Sequence, residues 1–213
     1  MSIVQTRWRW LLVLAAAGAA LLGFGLARQL DRDSPALASG TWLPLPKAIA
    51  DFALIAASGR PYTRADLMSA PTLVYFGFTR CPDVCPTTLA KLAQARRLTG
   101  LATLRVLFVS IDPGRDTPAA AGLYAHAFDP SFEGVTGTPP QIRAVARNFA
   151  VAVNRVELPG GDYTMDHSAV IFLVDGAGIV AIFTPPIEVA ALAADLRRAA
   201  PYLAPPPREP RPT

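Results

Sequence analysis

The pattern of apolar and polar positions alternates between strand-like runs and helix-like segments over most of the chain. Residues 72–78 (TLVYFGF) and 104–111 (LRVLFVSI) are apolar on both faces, as in strands that are buried within a parallel sheet. The other elements that the pattern predicts are a hairpin opening at 51–56 with a turn at Ser58-Gly59, helices at 86–99, 117–128, 139–149 and 188–200, and strands at 132–135, 151–156, 169–174 and 179–183.

This order of elements predicts an α/β fold over residues 49–204, with a mixed central sheet, flanking helices and an N-terminal hairpin extension. The DGAG sequence at 175–178 is expected to join the last two strands as an antiparallel hairpin. Reactive groups in such sheets gather beyond the carboxyl ends of strands. Cys81 and Cys85 directly follow the strand at 72–78, where a thioredoxin-like fold carries its redox motif, although the spacing here is C-x-x-x-C.

An apolar segment precedes this domain. Residues 10–27 carry no charge and, as a helix, would span about 27 Å, close to the hydrocarbon core of a bilayer. Arg7 and Arg9 precede the run, so we expect residues 1–9 to lie in the cytoplasm and 10–27 to be one transmembrane anchor. A cleaved signal peptide, with Ala36-Leu37-Ala38 as its cleavage site, is the alternative. Either reading places the domain in the periplasm, and the first makes the chain a single-pass inner-membrane protein.

The segments on either side of the domain have weaker patterns. Residues 28–48 are polar, contain proline and show no clear periodicity, so they are interpreted as a tether. Residues 205–213 (PPPREPRPT) are predicted to be a disordered tail. The net charge is +4, of which residues 1–39 contribute +2 from four Arg and two Asp. No basic run with interleaved aromatic residues follows, so no nucleic-acid partner is predicted.

The two cysteines of the chain are expected to carry chemistry. They lie four residues apart in an exported domain, and so short a loop adds little chain-entropy stabilisation as a disulfide. Pro86 suits the start of a helix, which would make Cys85 its N-cap and lower the pKa of that thiol. The loop between Cys81 and Cys85 could close a disulfide or bind a metal, and a small inert disulfide or two buried thiols is the alternative. Asp83, inside this loop, is interpreted as a turn residue.

Two histidines could complete a metal site. His126 lies in a predicted helix without polar neighbours and is interpreted as a surface or half-buried helix residue. His167 lies in a polar loop before a buried strand, where the fold would bring it beside the Cys loop, and either Asp166 or a backbone carbonyl could orient its ring. A polar loop histidine is the alternative. Two thiolates and one imidazole suit Cu(I) and also Zn(II), and Met165 is interpreted as packing rather than as an extra ligand.

Three blocks of sequence, in this order, resemble the Sco/SenC family of copper-binding assembly factors of cytochrome c oxidase. They are YFGFTRCPDVCPTTL at 75–89, VSIDPGRDTP at 109–118 and DHS at 166–168, and the similarity extends from about residue 51 to 203. The resemblance implies a thioredoxin fold that binds copper, as Cu(I), Cu(II) or both, through Cys81, Cys85 and His167. It also implies a redox-active Cys81–Cys85 pair.

The resemblance further implies partners and a role. The protein would deliver copper to the binuclear copper centre of an oxidase subunit or reduce the thiols of that centre, and other copper chaperones would be further partners. Many relatives carry histidine where this chain has Arg80, a position outside the three implied ligands. The stretch at 112–117 is interpreted as strand-end and helix-cap chemistry.

Three functions are compatible with these residues: a metallochaperone with coupled thiol chemistry, a thiol–disulfide oxidoreductase that carries no copper, and a peroxide-reducing thiol enzyme. Nothing in the Cys81 loop specifies a peroxide pocket. His167 separates the first two, since a thiol reductase needs no histidine at this place, whereas a copper carrier loses its third ligand without it. We therefore expect a metallochaperone, and whether the protein is also an enzyme stays open.

Overall fold

The computed structural model describes residues 15–16, 18–23 and 34–207. The chain divides into two compact units, residues 1–35 and 36–213. In the first unit, residues 15–16 and 18–23 are helical. Within the described residues, no helix reaches the length and hydropathy needed to cross a membrane. The predicted cytoplasmic segment 1–9, most of the predicted anchor 10–27, residues 28–33 of the tether and residues 208–213 of the tail lie outside the described residues.

The second unit is a mixed α/β domain. Its strands are β1 (Gly40–Lys47), β2 (Ala53–Ala56), β3 (Pro61–Thr63), β4 (Thr72–Gly77), β5 (Arg105–Ser110), β6 (Glu133–Thr136), β7 (Val153–Glu157), β8 (Tyr163–His167), β9 (Ile171–Asp175) and β10 (Gly178–Phe183). Its helices are α1 (Arg64–Met68), α2 (Val84–Thr99), α3 (Pro118–His126), α4 (Pro139–Phe149) and α5 (Val189–Ala199), followed by a 3₁₀ turn at Ala200–Tyr202.

Eight of these strands form one sheet in the order β1-β10-β9-β4-β5-β6-β2-β3. Its centre is the parallel pair β4–β5, with Thr72 opposite Arg105 and Gly77 opposite Ser110. Strand β9 pairs antiparallel with the other side of β4, so the sheet is mixed, as predicted. Every residue of β4 is buried, so the side chains on both of its faces are shielded from water, which explains its continuous apolar sequence.

The predicted hairpin of the last two strands is confirmed. Strands β9 and β10 pair antiparallel, with Gly178 opposite Asp175 at the turn. Strands β7 and β8 form a separate two-stranded sheet, with Val153 opposite His167 and Glu157 opposite Tyr163. This β7–β8 hairpin carries His167 at the end of its second strand, so it places the histidine without belonging to the main sheet.

Three elements differ from the prediction. Residues 40–47 of the predicted tether form β1, an edge strand that pairs with β10 across a register shift between Trp42 and Lys47. The two prolines within it argued against a strand in the sequence, but proline is tolerated at the edge of a sheet. The polar stretch Tyr163–His167, predicted as a loop, is strand β8. Helix α1 was not predicted, although Thr63 and Asp66 form a capping box at its start.

Candidate metal centre

The loop that follows β4 turns into helix α2 around the two cysteines. Helix α2 begins at Val84 with Asp83 as its N-cap, so the prediction that Cys85 is the N-cap is wrong. Pro86 instead occupies the third helical position. The first turn tolerates proline there because the first four N–H groups of a helix have no intrahelical partner, and a missing donor costs nothing.

The sulfur at the N-terminus of α2 belongs to Cys81. The backbone N–H of Cys85, in the first turn of the helix, donates to Sγ of Cys81 at 3.4 Å. Cys81 is half-exposed, Cys85 is buried, and both are free thiols. The favourable interaction of a sulfur with a helix N-terminus, expected for Cys85, is therefore available to Cys81.

Cys85 lies in an apolar and aromatic environment. Its side chain is 0% exposed, and Gly77 leaves room for it, since a Cβ on Gly77 would stand 2.9 Å from the Cys85 sulfur. Burial raises the pKa of Cys85 to about 12, although the hydroxyl of Tyr75, 3.6 Å from the sulfur, and the backbone of Phe78 act in the opposite direction. The expected decrease of this pKa is wrong for the metal-free protein, because loss of solvation outweighs the hydrogen bonds.

His167 lies close to the buried sulfur of Cys85. Nε2 of His167 lies 3.8 Å from Sγ of Cys85, although 82 residues separate them in sequence. Nδ1 lies 3.2 Å from the carbonyl oxygen of Ser168. Because a carbonyl only accepts hydrogen bonds, Nδ1 carries the ring proton and Nε2 presents its lone pair to the sulfur. Of the two orienting groups expected from the sequence, the backbone carbonyl makes this contact, and Asp166 is exposed.

Aromatic rings fix the imidazole from two sides. The rings of Tyr75 and Phe78 each pack edge-on against it, with centroid distances of 6.2 Å. Burial lowers the pKa of His167 below its usual value of about 6.5, with the Ser168 carbonyl and Asp166 opposing this shift. The imidazole is therefore neutral at neutral pH, which is the protonation state that a metal ligand needs.

The fit of these groups to a cation follows from their separation. No group of three His, Cys, Asp or Glu side chains in the described part of the chain is already arranged around a metal position. Bonds of about 2.3 Å to sulfur and 2.0 Å to nitrogen, as in protein zinc sites, would span the 3.8 Å between Cys85 and His167 at an angle of about 120°. That angle suits a three-coordinate site, for which the half-exposed Cys81 is the third candidate ligand.

The Asp112–Thr117 loop contributes contacts that the sequence interpretation missed. Thr117 caps helix α3 through the N–H of Ala120, as predicted. Asp116, however, accepts hydrogen bonds from the backbone N–H and the hydroxyl of Thr79, and from the hydroxyl of Ser110. The buried carboxylate of Asp116 thus ties the Cys loop to the end of β5. Helix-cap chemistry describes Thr117 but not Asp116.

Asp112 and Arg115 face the β7–β8 hairpin. Arg115 Nε pairs with Asp112 at 2.5 Å, and the hydroxyl of Tyr163 donates to the same carboxylate at 2.7 Å. Arg115 Nη1 also donates to the carbonyl oxygen of Tyr163 at 2.7 Å and to Asp162 at 3.1 Å. The sequence signal was present in the block at 109–118, but its spacing alone did not show that these side chains reach another hairpin.

The other residues singled out in the sequence have surface, packing or helix-capping positions. His126 is exposed at the end of α3. Met165 is half-buried, packs against the hydrophobic core and lines a cavity of about 370 Å³ beneath the β7–β8 hairpin. Arg80 is exposed beside Cys81, and Asp83 is the N-cap of α2.

Comparison with known families places these residues in context. Residues 44–200 match the family model described as SCO1/SenC. The chain is 34% identical over 177 residues to the mitochondrial SCO1 homolog 1 of Arabidopsis thaliana, and 37% identical over 176 residues to the mitochondrial SCO2 homolog of Bos taurus. These matches cover 78% and 79% of this chain but 53% and 66% of the relatives, so the chain spans between about half and two thirds of their length.

Comparison with solved structures also finds Sco proteins. The copper-bound structure of Arabidopsis thaliana ScoI is similar with a TM-score of 0.68 and 34% identity, covering 72% of this chain and 98% of that one. Yeast Sco1 with copper bound has a TM-score of 0.67 and 30% identity, covering 75% and 92%. The apo Sco1 protein of Thermus thermophilus has a TM-score of 0.69 and 37% identity, covering 79% and 97%.

Proposed function

The chain belongs to the SCO1/SenC family, and from this premise we propose that it is a membrane-tethered copper metallochaperone. It would bind copper through Cys81, Cys85 and His167 and assist assembly of the binuclear copper centre of a cytochrome c oxidase subunit. The observation that carries the proposal is the 3.8 Å approach of the His167 Nε2 lone pair to the Cys85 sulfur. A neutral imidazole facing a buried thiol is a donor set for a soft cation.

Copper is favoured over zinc for this donor set by two observations. Two sulfurs and one nitrogen suit the low coordination numbers of Cu(I), whereas a structural zinc site takes four protein ligands. The Arabidopsis and yeast relatives are described with copper bound, at 34% and 30% identity to this chain. A site with three protein ligands leaves one position open to an acceptor, which a carrier requires and a permanent structural site does not.

Thiol–disulfide exchange is the second candidate function, and the unequal burial of the two free thiols favours it as a coupled role. The half-exposed Cys81, as thiolate, would attack a disulfide of the oxidase subunit and form a mixed disulfide, releasing one acceptor thiol. Cys85 would then displace the second acceptor thiol and close the Cys81–Cys85 disulfide. The acceptor would be reduced by two electrons and this protein oxidised by two, so a thiol reductant would be needed for a second cycle.

X-ray absorption on the copper-loaded full-length protein tests the proposal. The wild type is expected to bind one copper with two sulfur ligands and one nitrogen ligand, and His167→Ala to lose the nitrogen and bind copper more weakly. His126→Ala is the matched control, since it removes the exposed histidine and should change nothing. A His167→Ala protein with unchanged copper affinity and full oxidase assembly would reject His167 as a ligand and count against the proposed carrier. Reductase activity that depends on both cysteines but not on His167 would favour the reductase.

The membrane tether is a separate part of the proposal. Its support is the uncharged run at 10–27 with Arg7 and Arg9 before it. The single-pass arrangement predicts that the full-length protein stays with the membrane fraction after carbonate washing. It also predicts that protease added to the periplasmic side removes the domain. Recovery of a soluble periplasmic form beginning after Ala38 would show that the run is a cleaved signal peptide instead.

A further inference from the structure

The β7–β8 hairpin that carries His167 is not hydrogen-bonded into the main sheet, so other contacts must fix its position. It is a two-stranded sheet outside the main sheet, and such hairpins are marginally stable alone. Beneath it lies the cavity of about 370 Å³, whose walls include Val153 and Met165 of the hairpin and Ile142 of α4. Apolar packing therefore covers only part of its inner face, and other contacts must fix the hairpin against the domain.

Those contacts are concentrated at Tyr163, at the end of β8 opposite to His167. The Tyr163 hydroxyl donates to Asp112, and the backbone carbonyl of Tyr163 accepts from Arg115. The Cζ atoms of Arg115 and Arg155 lie 3.7 and 3.8 Å from the centroid of its ring. Two guanidinium groups cannot occupy the same place, so the ring is held between them by cation–π contacts.

The Asp112–Arg115 pair is itself rigid. The side chains are 4% and 10% exposed, and their 2.5 Å ion pair is among the contacts that anchor Arg115 at the end of β5. A planar guanidinium that binds a carboxylate and a backbone carbonyl together has little freedom to reorient. Gly114 allows this approach, because a Cβ at that position would stand 3.0 Å from the Tyr163 hydroxyl.

We infer that Asp112 and Arg115 are positioning residues for the metal site, which set the distance of His167 from the cysteine sulfurs by clamping Tyr163. Tyr163, Met165 and His167 lie on one face of β8, because side chains two residues apart in a strand share a face. With Tyr163 fixed at one end of the strand, His167 at the other end has a defined position against Cys85. The inference rests on the proposed function for its copper-dependent part only.

The test uses the full-length protein with Arg115→Gln, Arg115→Lys and Tyr163→Phe. In the metal-free protein, hydrogen exchange followed by mass spectrometry is expected to accelerate about tenfold over residues 153–167 in Arg115→Gln, with little change in β4 and β5. Tyr163→Phe keeps the ring between the guanidinium groups and should give a smaller effect. Arg115→Lys, which lacks the planar fork, should resemble Arg115→Gln rather than restore the wild type.

In the copper-loaded protein, X-ray absorption is expected to show a reduced nitrogen contribution in Arg115→Gln, approaching that of His167→Ala. Arg198→Gln is the matched control, because Arg198 also pairs with a buried aspartate three residues earlier, Asp195, in helix α5. It should leave both measurements as in the wild type. Unchanged exchange in the hairpin, or a uniform increase over the whole domain, would overturn the inference and leave Arg115 with a general structural role.

The two proposals fail in different ways. If the wild type binds no copper, the proposed function is wrong, and hydrogen exchange in the metal-free protein still decides whether the clamp holds the hairpin. If the wild type binds copper through sulfur and nitrogen and Arg115→Gln keeps the same ligands with a protected hairpin, the positioning role alone is rejected.

Discussion

The carboxylate of Asp116 accepts two hydrogen bonds from Thr79, one from its backbone N–H at 2.9 Å and one from its hydroxyl at 2.6 Å. Thr79 lies two residues before Cys81, so the end of β5 holds the start of the Cys loop. The same loop that contains Asp116 also contains Asp112 and Arg115, which contact the β7–β8 hairpin. One short segment therefore braces both parts of the candidate metal centre.

Asp116→Asn should loosen the Cys loop. The asparagine amide has the same shape, but its NH₂ group would face donors that the carboxylate accepts from in the wild type. Leaving such buried donors unsatisfied costs about 1–3 kcal/mol of the free energy of unfolding. We expect lower stability in urea and weaker copper binding. Asp195→Asn is the control, because Asp195 is also buried and accepts from several donors, at Ala38, Ser39 and Arg198. It should lose stability yet keep wild-type copper affinity.

Gly77→Ala should displace the sulfur of Cys85. The added Cβ would stand 2.9 Å from that sulfur, closer than real Cβ contacts allow, and 3.0 Å from the ring of Phe108, which is also tight. Overpacking of this kind costs about 1–3 kcal/mol, and the displaced sulfur should weaken copper binding as well.

Gly137→Ala is the control for that prediction. Its Cβ would meet Gln141 at 2.9 Å, away from the two cysteines, so stability alone should respond. Equal copper affinity in the two variants would show that the space beside Cys85 has no part in the site.

Tyr75→Phe removes the hydroxyl that faces the Cys85 sulfur at 3.6 Å. This hydroxyl favours the thiolate, so its loss should lower the affinity for Cu(I) at pH 7 by about three- to tenfold, the equivalent of one hydrogen bond of about 1 kcal/mol. Competition titration with a Cu(I) chelator measures the change. Tyr124→Phe removes a buried hydroxyl that has no hydrogen-bond partner among the described residues, and it should bind copper as the wild type does.

The pH dependence follows from the pKa of Cys85, which burial raises to about 12. Above pH 9 the unfolded chain loses this proton while the folded protein keeps it, so the free energy of unfolding of the metal-free protein should fall as the pH rises from 9 toward 12. Thermal unfolding over that range measures the effect. A stability that rises with pH in this window would contradict the raised pKa.

The same proton couples copper binding to pH. At pH 7 Cys85 is a thiol, and binding through its sulfur must release the proton, so the affinity for Cu(I) should rise at least about tenfold per pH unit between pH 6.5 and 8. His167→Ala should keep this slope, because the lowered pKa of His167 leaves the wild-type imidazole neutral throughout the range. A pH-independent affinity would mean that the thiolate already exists without metal.

The buried elements of the fold could be predicted from sequence because burial on both faces forces a continuous apolar run. Strands β4 and β5 and the β9–β10 hairpin follow this rule. Strand β1 could not be found in the same way, since an edge strand needs no apolar run and tolerates Pro44 and Pro46. Strand β8 was hidden because its two-stranded sheet leaves its residues only half-buried.

The candidate site was predictable in its residue types and only partly in its electrostatics. Cys81, Cys85 and His167 stand out because soft donors at a strand end are rare, whereas the roles of Asp112 and Arg115 depend on contacts with a hairpin about fifty residues further along. The burial of Cys85 was equally invisible. The sequence predicted it as the N-cap directly before a helix, whereas its pKa is set mainly by its burial.

The unequal exposure of the two sulfurs gives the proposed handover an order. An incoming acceptor thiol can reach the metal from the side of Cys81, which is half-exposed, but not through Cys85, which is enclosed. Cys81 should therefore be the first bond replaced and Cys85 the last bond broken, so that the cation passes between proteins without an interval in water. With the acceptor supplied as its disulfide, Cys81 of a Cys85→Ser variant should attack one sulfur and release the other as a thiol, which leaves a stable Cys81-linked mixed disulfide. The same product forming more readily at Cys85 in Cys81→Ser would contradict this order.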